Sequence, residues 1–132
     1  MRRVLIGAGV LAVCGCGKGN LSKGLDLPAL VGPYRGTYEL PHSGINGDAV
    51  ITFGSSGNLT GALIDRASNT SESIKGTLNE SGQFVGSSTY PGESKNVLRG
   101  TFKLLSPGKL EGHLVERRGT SSGGISIFVS RN

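Results

Sequence analysis

A glycine set between two alternate-position side chains recurs along this chain. It appears as Tyr34-Gly36-Tyr38, Leu59-Gly61-Leu63, Ile74-Gly76-Leu78, Phe84-Gly86-Ser88, Leu98-Gly100-Phe102 and Leu110-Gly112-Leu114. A period of two is the signature of a strand with one buried face. No segment of helical length carries a 3.6-residue apolar stripe. A mid-strand glycine weakens a strand by roughly 0.5–1 kcal/mol relative to alanine. Six such positions therefore need a cause. Either the sheet bends sharply there, or another group approaches closely.

A second repeat sets the chain order. Gly57-Asn58-Leu59-Thr60-Gly61 returns 25 positions later as Gly82-Gln83-Phe84-Val85-Gly86, and 26 positions further on as Gly108-Lys109-Leu110-Glu111-Gly112. A basic-Gly-Thr-apolar pattern appears at Arg35–Tyr38, Lys75–Leu78 and Arg99–Phe102. Ser56-Gly57, Ser81-Gly82 and Pro107-Gly108 separate alternating segments, which is a hairpin signal. The unit is a strand, a tight turn and a returning strand.

Eight strands are expected: 34–40, 48–53, 58–65, 73–79, 83–90, 97–104, 109–117 and 124–131. The fold class is all-β, an eight-stranded antiparallel up-and-down meander. With one apolar face it closes most economically into a small barrel, which also removes edge strands. The glycine belt lets such a barrel flatten until its apolar tiers meet, or leaves room for a ligand. Periodicity does not separate these outcomes.

The N-terminus carries a different signal. Met1-Arg2-Arg3 is positive, and Val4 to Val13 is a ten-residue apolar stretch. That is short of the about 20 residues a membrane span needs, and has the length of a signal-peptide core. Val13-Cys14-Gly15-Cys16 follows and resembles the lipobox of bacterial lipoproteins, with Cys14 at a position where another residue is commoner. Reading Cys14 as acceptor would put Val13 beside the cut, where something smaller is preferred, so Cys16 is the expected acceptor. The resemblance implies cleavage before Cys16, thioether-linked lipid on it, and a membrane as partner. Gly17 rather than Asp follows, which in this family leans toward an outer membrane.

The expected organisation is a leader over 1–15, a lipidated Cys16 with a tether over 16–33, and a barrel domain over 34–132. The tether is rich in glycine. Leu25, Leu27, Leu30 and Val31 form an apolar cluster around Pro28, either a short helical turn or a patch packed on a barrel end.

At this point the domain resembles calycin-type barrels, the lipocalins and avidins. Gly36-Thr37-Tyr38 is similar to their Gly-x-Trp with Tyr for Trp, and Gly57–Gly61 is similar to the second avidin hairpin. The chain contains no Trp, and avidins stack biotin between tryptophans, so no binding residue carries over.

Chemistry is sparse. Outside the leader, 12 Lys and Arg face 9 Asp and Glu, a mild excess with no interleaved aromatics, so nucleic-acid binding is not expected. Two Cys and two His do not complete a zinc site, and neither metal nor cofactor is expected. His42 is expected in an exposed loop and His113 on the outer face. Asp26, Asp48 and Asp65 fall at strand ends or in the tether. Glu111 and Glu116 fall on opposite faces and make a poor acid–base pair. Gly119–Gly124 precedes a strand and is no phosphate loop. Arg35, Lys75, Arg99 and Lys103 point outward, either as a basic patch for anionic lipid or polysaccharide or as a solvated face.

The expected function is a non-catalytic binding or interaction module on the cell envelope. One alternative is a carrier whose cavity is lined by Tyr38, Phe53, Phe84 and Phe102. Another is an inhibitor of a secreted hydrolase, using the loops 41–47 and 90–96.

Overall fold

The computed structural model describes residues 24–131. A four-residue helix, α1 (Leu27–Leu30), precedes eight strands: β1 (Gly32–Leu40), β2 (Ile45–Phe53), β3 (Asn58–Asp65), β4 (Thr70–Leu78), β5 (Gln83–Thr89), β6 (Asn96–Ser106), β7 (Lys109–Arg118) and β8 (Ser121–Arg131). Each strand pairs antiparallel with the next, and β8 pairs with β1, so the meander closes into a barrel. The expected all-β up-and-down architecture is the observed one. The seam runs from Tyr34 opposite Arg131 to Glu39 opposite Ser126.

The three tandem repeats make the same structural joint. Gly57, Gly82 and Gly108 all have positive φ, at 88°, 86° and 81°. Each then accepts a hydrogen bond from the strand that follows its own: Leu78 N–H to Gly57, Phe102 N–H to Gly82, and Arg131 N–H to Gly108, at 2.7–2.8 Å. A side chain at a positive φ is strained, which is why glycine holds all three places.

The glycine belt is explained by close approach. The Phe84 ring lies over Gly76 and Gly86, which face each other in the ladder, so that a Cβ on either would stand 2.7 Å from Cζ. Phe102 covers its ladder partner Gly112 in the same way, also at 2.7 Å, and Tyr38 covers its partner Gly47 at 2.9 Å. Carbonyls of neighbouring strands crowd Gly36, Gly61 and Gly100. The belt thus serves both close coiling of the strands and the seating of rings inside them.

The interior is packed with side chains. Tyr34, Phe53, Phe102 and Phe84 form an edge-to-face column with centroids 5.6, 6.1 and 5.8 Å apart. Such pairs add about 0.5–1.5 kcal/mol each beyond their buried area. Ile51, Leu59, Leu63, Ile74, Leu78, Leu98 and the inward residues of β7 and β8 complete the core. Leu30 of α1 joins it from one end.

The two ends differ. The helix end carries α1 and the three tight turns, and Leu25 N–H bonds Glu80 C=O there at 2.7 Å. The residues around Pro28 are therefore both helical and packed on the barrel. The loop end carries the connections 41–44, 66–69, 90–95 and 119–120. The leader, Cys14 and Cys16 lie outside the described residues.

Candidate functional site

At the loop end the inward stripes turn polar. On β4 the inner series Leu78, Gly76, Ile74 ends in Glu72, and on β7 the series Leu110, Gly112, Leu114 ends in Glu116. On β5 the series Phe84, Gly86 ends in Ser88, opposite Asn96 of β6. Alternation therefore drives two carboxyls, a hydroxyl and an amide into one barrel mouth.

Glu72 is 4% exposed and Ser88 is fully buried. The Ser88 hydroxyl donates to Glu116 Oε2 in a short hydrogen bond. The other Glu116 oxygen, Oε1, is 3.5 Å from Arg118 Nε. The Arg118 guanidinium lies 4.4 Å above the Tyr90 ring and reaches Glu93 at 3.9 Å. Among the described residues two buried polar atoms, Glu72 Oε2 and Asn96 Nδ2, have no hydrogen-bond partner.

The electrostatics follow from this crowding. Burial, then the neighbouring Glu116 carboxyl, push Glu72 up to about 8, against the pull of Ser88 and Arg118. Glu116 is also penalised by burial, but Glu72, Ser88 and Arg118 together hold it below the usual carboxylate range. The proton is favoured on Glu72 over Glu116, and the two carboxyls titrate as a pair. Burial and the two carboxyls raise Tyr90 to about 12. Burial, then Asp65, Glu72 and Asp48, raise Tyr38. A pocket of 210 Å³ opens beside Glu116, lined by Leu40, His42, Ser43, Gly123, Gly124 and Ile125. A Cβ on Gly123 or Gly124 would meet nothing within 4 Å. Chemically, this mouth can donate and accept hydrogen bonds and can store a proton.

Sequence reasoning missed Glu72. With β4 expected to begin at Ser73, Glu72 fell in a loop. The strand begins at Thr70, and one more alternation step carries Glu72 inward. Glu111 and Glu116 do face opposite ways: Glu111 is outside, 2.9 Å from His113 Nε2. His113 is exposed, and His42 lies exposed on the loop-end rim. Asp65 accepts the Ala67 N–H in a turn, whereas Asp48 bonds Arg66 at 2.7 Å. Among the described residues no group of three or more His, Cys, Asp or Glu is placed to hold a metal.

Of the four expected cavity-lining residues, Phe53, Phe84 and Phe102 belong to the aromatic column, packed ring against ring. Tyr38 lies nearer the loop end, over Gly47. The four outward cations stand on three strands, Arg35 on β1, Lys75 on β4, and Arg99 and Lys103 on β6. Arg35 shares a ladder row with Ser130 and Lys109, while Lys75 shares one with Ser87 and Val97.

The fold and mouth define a class: a small closed eight-stranded antiparallel barrel with a packed interior and one polar end. Compared with protein-family models, curated proteins and solved structures, the chain finds no match.

Proposed function

We propose that this chain is an envelope lipoprotein, acylated at Cys16, whose barrel is a non-catalytic binding or interaction module. The observation that carries the module reading is the packed interior. With the aromatic column inside, recognition falls to the ends and the outer wall. The first described residue, Gly24, stands beside Glu80 at the helix end. A lipid on Cys16 would hold that end toward the membrane and turn the polar mouth away from it. The lipobox-like Cys16 and the calycin-like order of strands support this reading.

The loop end also favours a second reading, inhibition of a secreted hydrolase. The two loops expected for it, 41–47 and 90–96, narrow to the connections 41–44 and 90–95, because β2 and β6 begin within them, and both open at that end beside the Glu72–Glu116 mouth.

Palmitate labelling of cells making the full chain tests the anchor. Cys16→Ala abolishes labelling and displaces the protein from the membrane, and continued labelling refutes the assignment. Affinity capture with residues 17–132 tests the module. Partners lost on substitution of the 90–95 loop place recognition at the mouth, and partners retained there but lost with outer-wall variants refute that placement.

A further inference from the structure

We infer that the helix end of the barrel is itself a membrane-contact face, docking on an anionic bilayer surface beside the lipid on Cys16. The inference rests on the anchor reading above and adds a second contact made by the folded domain.

Three observations carry it. The first is exposed apolar surface at this end. β6 is irregular between Leu104 and Ser106. This irregularity leaves both Leu104 and Leu105 in solvent, 43% and 51% exposed, beside the Pro107-Gly108 turn. Val31, after α1, is 42% exposed at the same end. Leu104 also borders an apolar recess of 290 Å³ shared with Leu25, Leu30 and Pro107. Leucines at a turn tip lack the burial that normally explains them, and this arrangement suits insertion at a headgroup boundary.

The second is charge. Lys109 begins β7 opposite Ser106, beside the leucines, Arg35 lies two strands further along the same ladder row, and Lys103 precedes Leu104 on β6. Glu111, opposite Lys103, is engaged by His113. Asp26 lines the same recess as Leu104, with Arg131 also among its walls, and Glu80 lies in the β4–β5 turn. Basic side chains around an apolar tip match an anionic lipid surface, each contributing near the bilayer. Arg131 is occupied, since its guanidinium bonds the carbonyls of Ala29 and Val31.

The third is reach. Seven residues, eight Cα–Cα steps, separate Cys16 from Gly24. Fully extended, they span at most about 29 Å. A lipid at Cys16 therefore keeps this end within that distance of the bilayer surface. That confinement raises the effective concentration of even a weak contact.

The test uses the full chain made in bacteria and recovered with native-like anionic lipid. After processing and acylation the parent offers no free thiol, so Leu105→Cys carries a single environment-sensitive fluorophore. Ser121→Cys, at the loop end, carries the same probe as control. A quencher is placed on the lipid acyl chains. The expected result is several-fold stronger quenching at position 105 than at 121, reduced when Arg35→Glu and Lys109→Glu are added. Equal quenching at both positions, with palmitate present on Cys16, overturns the docking face and leaves the anchor standing. Absence of palmitate, with the parent itself taking the label, overturns the anchor and this inference with it. Preserved quenching in the doubly charge-reversed chain overturns the electrostatic part.

Discussion

Glu72 is a carboxyl placed where its charge is costly. Its unfolded pKa is near 4.3, and in the barrel it is pushed up to about 8. The folded state therefore binds the extra proton between those values. Stability is full below the unfolded pKa, falls as pH rises through the window, and levels off above about 8, by up to about 1.4 kcal/mol per pH unit. Glu116, held below its usual range, acts with the opposite sign at lower pH. Urea unfolding of the parent should thus weaken from pH 5 to 8.5, and Glu72→Gln should flatten that decline. Parallel curves for the two would remove this account of Glu72. Gly112 offers a steric counterpart. A Cβ there stands 2.7 Å from the Phe102 ring, so Gly112→Ala should cost about 1–3 kcal/mol by overpacking. Phe102→Leu in the same chain should return part of that cost, a coupling that a double-mutant cycle measures.

At the scale of elements, the three glycine turns look alike in sequence and differ in space. All have positive φ, yet a Cβ on Gly108 meets only Arg131 Cβ at 3.5 Å, whereas one on Gly82 meets the Phe102 carbonyl at 2.6 Å. Gly108→Ala should therefore lose only the conformational term, about 1 kcal/mol, and Gly82→Ala and Gly57→Ala clearly more. Equal losses in chemical denaturation would count against the joint described for the repeats. The strands themselves were legible because apolar alternation and turn glycines coincide at the helix end. Their far ends were not. Thr70-Ser71-Glu72 and Ile45-Asn46-Gly47 carry little apolar signal, and their pairing is set by the neighbouring strand rather than by their own side chains. The strand starts at Thr70 and Ile45 thus came three residues earlier than alternation indicated, and with the first of them went the buried carboxyl. The inner parity of Glu116 could be read from Leu110, Gly112 and Leu114, but its partner could not.

Across the whole molecule, one side chain ties the beginning of the described fold to its end. Arg131, the last described residue, donates to Val31 C=O at 2.7 Å, to Ala29 C=O at 2.6 Å and to the Tyr34 hydroxyl at 2.7 Å. Its guanidinium also lies 4.8 Å from the centre of the Tyr34 ring. Those carbonyls belong to α1 and its exit, a helix too short to satisfy them internally. The same residue pairs with Tyr34 across the β1–β8 seam and donates its N–H to Gly108. The side chain thus latches α1 over an end of the core that Leu30 helps to cover. Arg131→Ala keeps the backbone ladder and removes only the latch. It should lower stability by about 1–3 kcal/mol, the range for losing hydrogen bonds from a charged donor. The local effect should exceed the global one: hydrogen exchange at Leu30 and Val31 should accelerate well before that of β3 or β4, because α1 opens without opening the barrel. Arg131→Lys, with one ammonium for two carbonyls and a hydroxyl, should fall between. Exchange that accelerates uniformly around the barrel would show instead that α1 and the seam open as one unit.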